Sequence, residues 1–485
     1  MKQRTRPGNA IRKSGIFFIG LLLLVVALSF TGNEKPAAGG DPGKPNIIII
    51  LTDDQGYGDV GFNGCTDIPT PNIDRIAKNG VVFRNAYVSY AVCAPSRAGL
   101  LTGRYQDRFG YSRNPLYKPF DPEMGLALTE QMLPAFLQQS GYVTMGIGKW
   151  HLGVYETYRP WKRGFNEYFG FLGGGHRYFP KEYNIANQDS AKNEGESYRT
   201  KLIRNEKVVE ESEYLTDALS REAVSFIDRN KTQPFFLYLA YNAPHAPLQA
   251  PEKYLDRFSQ IKDPKRKTYA AMVSAVDDGV GEVLSKLQHL NLTNNTIVIF
   301  LSDNGGPEQD NSSDNGPLRG GKSSLYEGGI RVPFAVQWPS QIKAGSEYRS
   351  PVISLDIFGT IAANIAGAPA PKNPLDGVDL LPYLKGTRKG APHEFLFWRQ
   401  YDQNRNAVVH QSGMKMVLLS DTKVELYDLK TDLGEQTDLV DKNRSLVADF
   451  EKQRKKWEAN MIAPVIWGLN QEELYTPNKK PIQNK

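Results

Sequence analysis

The chain has 485 residues, enough for a large core and a second domain, with 59 basic against 53 acidic side chains and a formal net charge of +6. Hydrophobic residues make up 40% and charged residues 23%, which excludes a disordered or collagen-like chain and a many-span membrane protein. Only two cysteines are present, Cys65 and Cys93, which excludes a disulfide scaffold.

Residues 1–30 hold Lys2, Arg4, Arg6, Arg12 and Lys13 and no acid. Removing these five charges from +6 leaves +1, so the body is nearly neutral and no nucleic-acid partner is expected. Ile16 to Phe30 is an uncharged run of fifteen, IFFIGLLLLVVALSF, placed between the basic start and a polar stretch of small residues. This pattern predicts an export signal over 1–30 and a linker over 31–44. The expected partner is the export machinery, and the expected destination is periplasmic or secreted. An uncleaved N-terminal membrane anchor is the alternative.

Asn46–Thr52 (NIIIILT) reads as a buried strand that runs into Asp53-Asp54-Gln55-Gly56. A helix is predicted over Pro71–Asn79, ending at Gly80. Pro95 fits the first turn of another helix, which places Cys93 at its positive end beside Arg97. Helical spacing recurs over Leu215–Asn230 and Tyr269–Leu290. Between and after these helices lie two further buried runs, Phe235–Tyr241 leading to His245, and Thr296–Ser302 leading to Asp303-Asn304-Gly305-Gly306. The basic stretch Lys262–Lys267 reads as a solvated loop. Alternating strands and helices predict an α/β architecture with a largely parallel sheet. Ligands then collect beyond the carboxyl ends of its strands, where all three runs place acids, amides or histidine.

After Leu384 the texture changes. Phe395–Arg399, Ala407–His410, Lys415–Leu419 and Leu426–Asp428 read as short strands, and Val447–Met461 as an amphipathic helix. The expected organisation is a catalytic body over 45–384, a smaller α+β subdomain with a short antiparallel sheet over 385–475, and a flexible tail over 476–485.

Adjacent carboxylates at Asp53 and Asp54 repel each other unless a cation or proton intervenes. Alone they would be turn residues. With Asp303 and Asn304 after a second strand they form an all-oxygen set suited to Ca²⁺ or Mg²⁺.

Cys93-Ala94-Pro95-Ser96-Arg97, followed by Leu100-Leu101-Thr102-Gly103-Arg104, resembles the formylglycine-forming motif of the type I sulfatases, members of the alkaline phosphatase superfamily. Further segments match in family order: Asp53-Asp54-Gln55-Gly56-Tyr57-Gly58-Asp59, Pro69 to Asp74, Gly148-Lys149-Trp150-His151-Leu152-Gly153, Pro244-His245-Ala246-Pro247, Ser302 to Gly305, and Gly321-Lys322 leading to Pro333. The resemblance spans about Pro45 to Leu384. It implies an alkaline phosphatase-like sandwich, with a large mixed, mostly parallel sheet between helices. It also implies that Cys93 is oxidised to formylglycine by a formylglycine-generating enzyme. The hydrated aldehyde would attack sulfur, form a covalent sulfo-enzyme and release sulfate by elimination. Asp53, Asp54, Asp303, Asn304 and an oxygen of modified Cys93 resemble the ligands of one Ca²⁺ per chain. By the same resemblance Arg97 and Lys149 hold the diol, His151 takes its proton, and His245 and Lys322 bind sulfate and protonate the leaving alcohol.

Gly173-Gly174-Gly175-His176-Arg177-Tyr178 and Trp398-Arg399-Gln400-Tyr401 combine aromatic with basic groups. From these, His176, Arg177, Trp398 and Arg399 are the predicted contacts to a sulfated carbohydrate, an algal galactan or a glycosaminoglycan. Two competing functions are a phosphate mono- or diester hydrolase of the same superfamily and a non-catalytic glycan-binding relative.

Overall fold

The structure, a computed structural model, describes residues 43–477, 479–481 and 483. The export signal and most of the linker therefore lie outside the described residues. A strand of unbroken β-branched residues must be covered on both faces, and Asn46–Thr52 is buried along its whole length. It sits in the middle of a ten-stranded sheet, with Phe235–Ala240 and Thr296–Ser302 parallel to it on either side. Val143–Lys149 and Glu167–Phe171 extend the parallel run, and Phe334–Gln337 adds an antiparallel strand beyond Thr296–Ser302.

The pleat divides the central strand between two cores. Ile48 and Ile50 pack with Leu237, Ile73, Leu219 and Val276, so the helices Pro71–Lys78, Leu215–Arg229 and Pro264–His289 cover that face. Ile47, Ile49 and Leu51 pack on the other face with Ala98, Phe136 and Phe358, from the helices Cys93–Thr102, Leu133–Gln139 and Asp356–Ala363. Cys93–Thr102 is buried at every position, so its N-terminus is held inside the molecule.

The stretch read as a solvated loop is partly helix. Asp263 accepts from Lys265 N and Arg266 N and starts the helix at Pro264, five residues before the expected Tyr269. Arg266 binds Asp67 at 2.8 Å and Asp59 at 2.7 Å, so it is structural. Lys262 and Lys265 do remain exposed.

Phe395–Gln400, Arg405–His410, Met414–Ser420 and Lys423–Asp428 form a four-stranded antiparallel sheet. One face packs on Phe450 of the helix Arg444–Glu458. The other packs on Tyr87, Ile330 and Leu355 of the larger part. In the tail, the Lys479 carbonyl accepts from the Trp467 indole at 3.0 Å. Among the described residues no helix is long and apolar enough to cross a membrane.

Candidate active site

Parallel pairing brings two strand ends to one place. Asp303 N donates to Thr52 O at 3.0 Å, and Asp54 N donates to Asp303 Oδ1 at 3.2 Å. Asp53, Asp54, Asp303 and Asn304 are thereby gathered at the carboxyl edge of the sheet, all buried. Asp59 folds the chain beyond them: its carboxylate accepts from Gly56 N, Asp314 N and Tyr269 OH. Asp54 has φ 63° and His151 has φ 62°, backbone strain of the kind that concentrates at functional sites.

The helix Cys93–Thr102 presents Cys93 to this edge. Cys93 Sγ lies 3.4 Å from Asp53 Oδ1, and Ala94 N donates to Asn114 Oδ1 at 3.0 Å. Ligand atoms of Asp53, Asp54, Cys93 and Asp303 all lie within 4.8 Å of one another. Three cations face the three carboxylates. Arg97 binds Asp303 at 2.8 Å, Lys149 binds Asp53 at 2.6 Å, and Lys322 binds Asp54 at 2.7 Å. Lys149 ends its strand, and the chain turns sharply to place His151 beside it.

The electrostatics follow from burial and pairing. Burial would raise Asp54, but Lys322, His245 and Lys149 outweigh it and hold the carboxyl down at about 2. Burial, with Asp53 close by, pushes Asp303 up to about 6. Burial raises the Cys93 thiol well above its usual range, against Lys149 and Lys322, so an unmodified Cys93 is a neutral thiol and a poor nucleophile. Burial and then Lys149, Arg97 and Lys322 push His151 far down, and neither of its ring nitrogens has a hydrogen-bond partner. His245 falls to about 3, chiefly through burial. Its Nδ1 lies 2.6 Å from Ala246 O and must donate there, so Nε2 of the neutral ring is an acceptor, 3.6 Å from Asp54. Asn304 donates through Nδ2 to Asp54 at 2.6 Å and to Gly305 O, leaving Oδ1 buried and unpartnered.

Ten residues singled out from the sequence therefore meet at one sheet edge. Residues 45–367 match the family profile described as Sulfatase, and residues 321–460 match the C-terminal profile of N-sulphoglucosamine sulphohydrolase. The chain belongs to the sulfatase family. It is a sulfuric ester hydrolase with an alkaline phosphatase-like fold. The second match carries the likeness past Leu384, the limit expected from motifs. The sulfatase is 37% identical over 389 residues to N-acetylgalactosamine-6-sulfatase of Mus musculus, covering 77% of this chain and 71% of that protein. It is 34% identical over 413 residues to the uncharacterized sulfatase YdeN of Escherichia coli K12, covering 73% and 69%. The crystal structure of Ps i-CgsB superposes with a TM-score of 0.82 at 40% identity, covering 89% of this chain and 96% of that one.

Three of the expected carbohydrate contacts are corrected. His176 is fully buried between Phe171 and Tyr183, with its ring nitrogens 2.9 and 2.8 Å from the carbonyls of Arg177 and Thr200. Trp398 is buried on Tyr87 and donates its indole N–H to Val88 O at 2.7 Å. Arg399 is buried and bound to Asp107 at 3.0 Å and to the Ile462 carbonyl. Arg177 is partly exposed, with its guanidinium 3.5 Å from Glu182.

The glycine turn still borders the site. A Cβ on Gly174 would fall 2.6 Å from His151 Nε2 and 2.7 Å from Glu194 Oε1, so only glycine fits there. Glu194 accepts from Gly174 N at 2.6 Å, and burial pushes its carboxyl up to about 7. No sequence motif pointed to Glu194 or Asn114, and Asp59 stood in a matched segment without a role. Cys65 is half-buried, and its thiol donates to Asp67 at 3.3 Å.

Proposed function

We propose that the sulfatase desulfates carbohydrates, with Cys93 as formylglycine for a nucleophile and one Ca²⁺ held by Asp53, Asp54, Asp303 and Asn304. The observation that carries this reading is the convergence of three buried carboxylates and an orphaned amide oxygen on the Cys93 side chain. The donor set fits a hard cation, and Asn304 Oδ1 lacks the partner that such an ion would be. When bound, the ion would polarise the ester and raise the acidity of the nucleophile. Without it, Asp53, Asp54 and Asp303 formally cancel Arg97, Lys149 and Lys322. A divalent charge would give the site a net positive field for an anionic ester.

Arg97 and Lys149 position the nucleophile through the carboxylates they bind, and His151 has a free ring nitrogen to take its proton. Lys322 carries a proton ready for the leaving alcohol: burial opposes its charge, but Asp54 holds its pKa well above normal. His245 must first become cationic to donate from Nε2. The carbohydrate reading is supported by relatives: Ps i-CgsB has been solved with k-i-k-neocarrahexaose, and the mouse relative is named for N-acetylgalactosamine 6-sulfate chemistry. A phosphonate monoester hydrolase of Agrobacterium radiobacter shares the fold at 18% identity, with a TM-score of 0.61. Maturation by a formylglycine-generating enzyme, export through the 1–30 segment, and a division into 45–384 and 385–475 complete the proposal.

The test is sulfate release from defined sulfated oligosaccharides by matured protein, with peptide mass spectrometry of Cys93. Activity in material carrying only unmodified cysteine would overturn the nucleophile. Greater efficiency on aryl phosphate than on every sulfate ester would favour the phosphatase alternative.

A further inference from the structure

Beside Lys322 lies a cavity of about 290 Å³ with which the chemistry at Cys93 does not account. Its wall includes Val92, which precedes Cys93, and Asn114, which holds the amide of Ala94. It therefore opens at the nucleophile's end of the helix, on the side where the alcohol of a bound ester would project. Its volume lies at the small end of ligand pockets, which run to about 300–1,000 Å³, and suits one sugar ring better than an extended chain.

Two polar atoms in the wall have no partner among the described residues. Ser112 is 3% exposed and its Oγ is unpaired. Gln400 is 4% exposed; its Nε2 donates to Ser323 O at 2.9 Å, which fixes the amide and leaves Oε1 buried without a partner. Both atoms are buried within the wall, so they make its lining polar without themselves facing a bound ligand.

The charges in the wall are unequal. Arg113 is engaged, at 2.5 Å from Asp402 and 3.0 Å from Ile466 O. Arg405, directly opposite Gln400 in the small sheet, is exposed and makes no ion pair with any described residue. A guanidinium left unmatched at the mouth of a polar cavity is suited to a planar anion.

We propose that this cavity holds the sugar bearing the scissile ester and that Arg405 binds a second anionic group, sulfate or carboxylate, on that sugar or its neighbour. The proposal rests on the carbohydrate sulfatase reading and deepens it: the substrate is a polyanionic saccharide, and the C-terminal sheet reads its second charge. Arg405 is then a specificity residue, remote from the reacting atoms.

The test compares kcat/KM of matured wild type, Arg405→Ala and Arg405→Lys. The substrates are a monosulfated saccharide, the same saccharide with a second sulfate, and one with a uronate carboxylate. Wild type should prefer at least one doubly charged substrate by about tenfold or more, and which one it prefers separates sulfate from carboxylate. Arg405→Ala should collapse that preference, mainly through KM, and Arg405→Lys should restore part of it. A wild type indifferent to the second charge, or an Ala variant that keeps the preference, overturns the proposal. Calorimetric binding of the doubly charged saccharides to Cys93→Ala, with and without Arg405→Ala, needs no turnover. About tenfold weaker binding in the double variant would uphold Arg405 even if no saccharide sulfate were hydrolysed, whereas equal binding would defeat it. Absence of turnover with every sulfate ester would instead defeat the sulfatase-on-carbohydrate reading.

Discussion

The molecule buries two balanced clusters of charge, and they differ in what they leave unfinished. At the strand ends, Asp53, Asp54 and Asp303 face Arg97, Lys149 and Lys322. Between the two sheets, Lys415 lies 2.8 Å from both Glu327 and Glu435, and Glu327 also accepts from Tyr87 OH at 2.9 Å and Arg331 at 3.1 Å. Glu327 N donates to Glu435 at 2.7 Å. The second cluster is nearly closed: among the described residues Glu435 Oε1 has only its ion pair with Lys415, and Arg331 Nε is left over. The first leaves Asn304 Oδ1 and both nitrogens of His151 without a partner among the described residues. Burying ions costs desolvation in either case. A closed cluster uses its charges to fix one packing of the two parts. An open one retains bonding capacity that only a ligand can use.

The largest expected effect breaks the open cluster without touching the fold. Cys93→Ala should lower sulfate release by about ten-thousandfold or more, with the unfolding midpoint close to wild type. Near-normal sulfate release from this variant would remove Cys93 from the chemistry. The closed cluster should behave in the opposite way. Lys415→Met leaves Glu435 a buried carboxylate without a cation, while Glu327 keeps Arg331, a loss of about 3–5 kcal/mol that denaturant unfolding would register. Pairing Lys415→Met with Glu435→Gln, which leaves Glu327 bound to Arg331, should recover much of that loss. A single variant as stable as wild type would mean that the cluster does not hold the sheets together.

A smaller effect sharpens the contrast. Ca²⁺ should raise the unfolding midpoint, by an amount equivalent to about 2.7 kcal/mol at a hundred times its dissociation constant, and a chelator should reverse this. Asp54→Asn should weaken the response, whereas Lys415→Met should retain it despite its lower starting stability. A midpoint indifferent to Ca²⁺, Mg²⁺ and chelator alike would refute the metal site.

The sequence made one cluster visible and hid the other. Asp53-Asp54 and Asp303-Asn304 follow strands whose continuous apolar runs are plain, since both faces of Asn46–Thr52 and Thr296–Ser302 are covered. The strand Val143–Lys149, which carries Lys149, was not legible because Gly146 and Gly148 interrupt it. A Cβ on Gly148 would fall 1.9 Å from Ala240 O, so close approach of the neighbouring strand excludes any side chain there. His176, Trp398 and Arg399 looked like sugar contacts because composition does not tell which face of an element meets the core. Two and seven residues beyond Trp398, Gln400 and Arg405 do line the cavity. Lys415 and Glu435 carry no motif, Glu327 opens a matched segment that gives no hint of its partners, and only tertiary packing brings the three together.

The smallest effect tests whether the contact between the two parts titrates. His393, in the segment leading to the small sheet, lies 2.7 Å from Asp356, which begins a helix of the larger part. Burial alone would lower the histidine, but Asp356, aided by Asp376, outweighs it and raises the pKa above the usual value. A histidine whose folded pKa is raised contributes its extra stability in full below the unfolded value of about 6.5 and loses it as pH rises through the folded pKa. Stability should therefore fall across that window, and this component should vanish in His393→Gln. An identical pH profile for wild type and His393→Gln would mean that Asp356 does not favour the charged ring, and would leave the contact between the two parts to packing and to ion pairs such as those of Lys415 and Arg399.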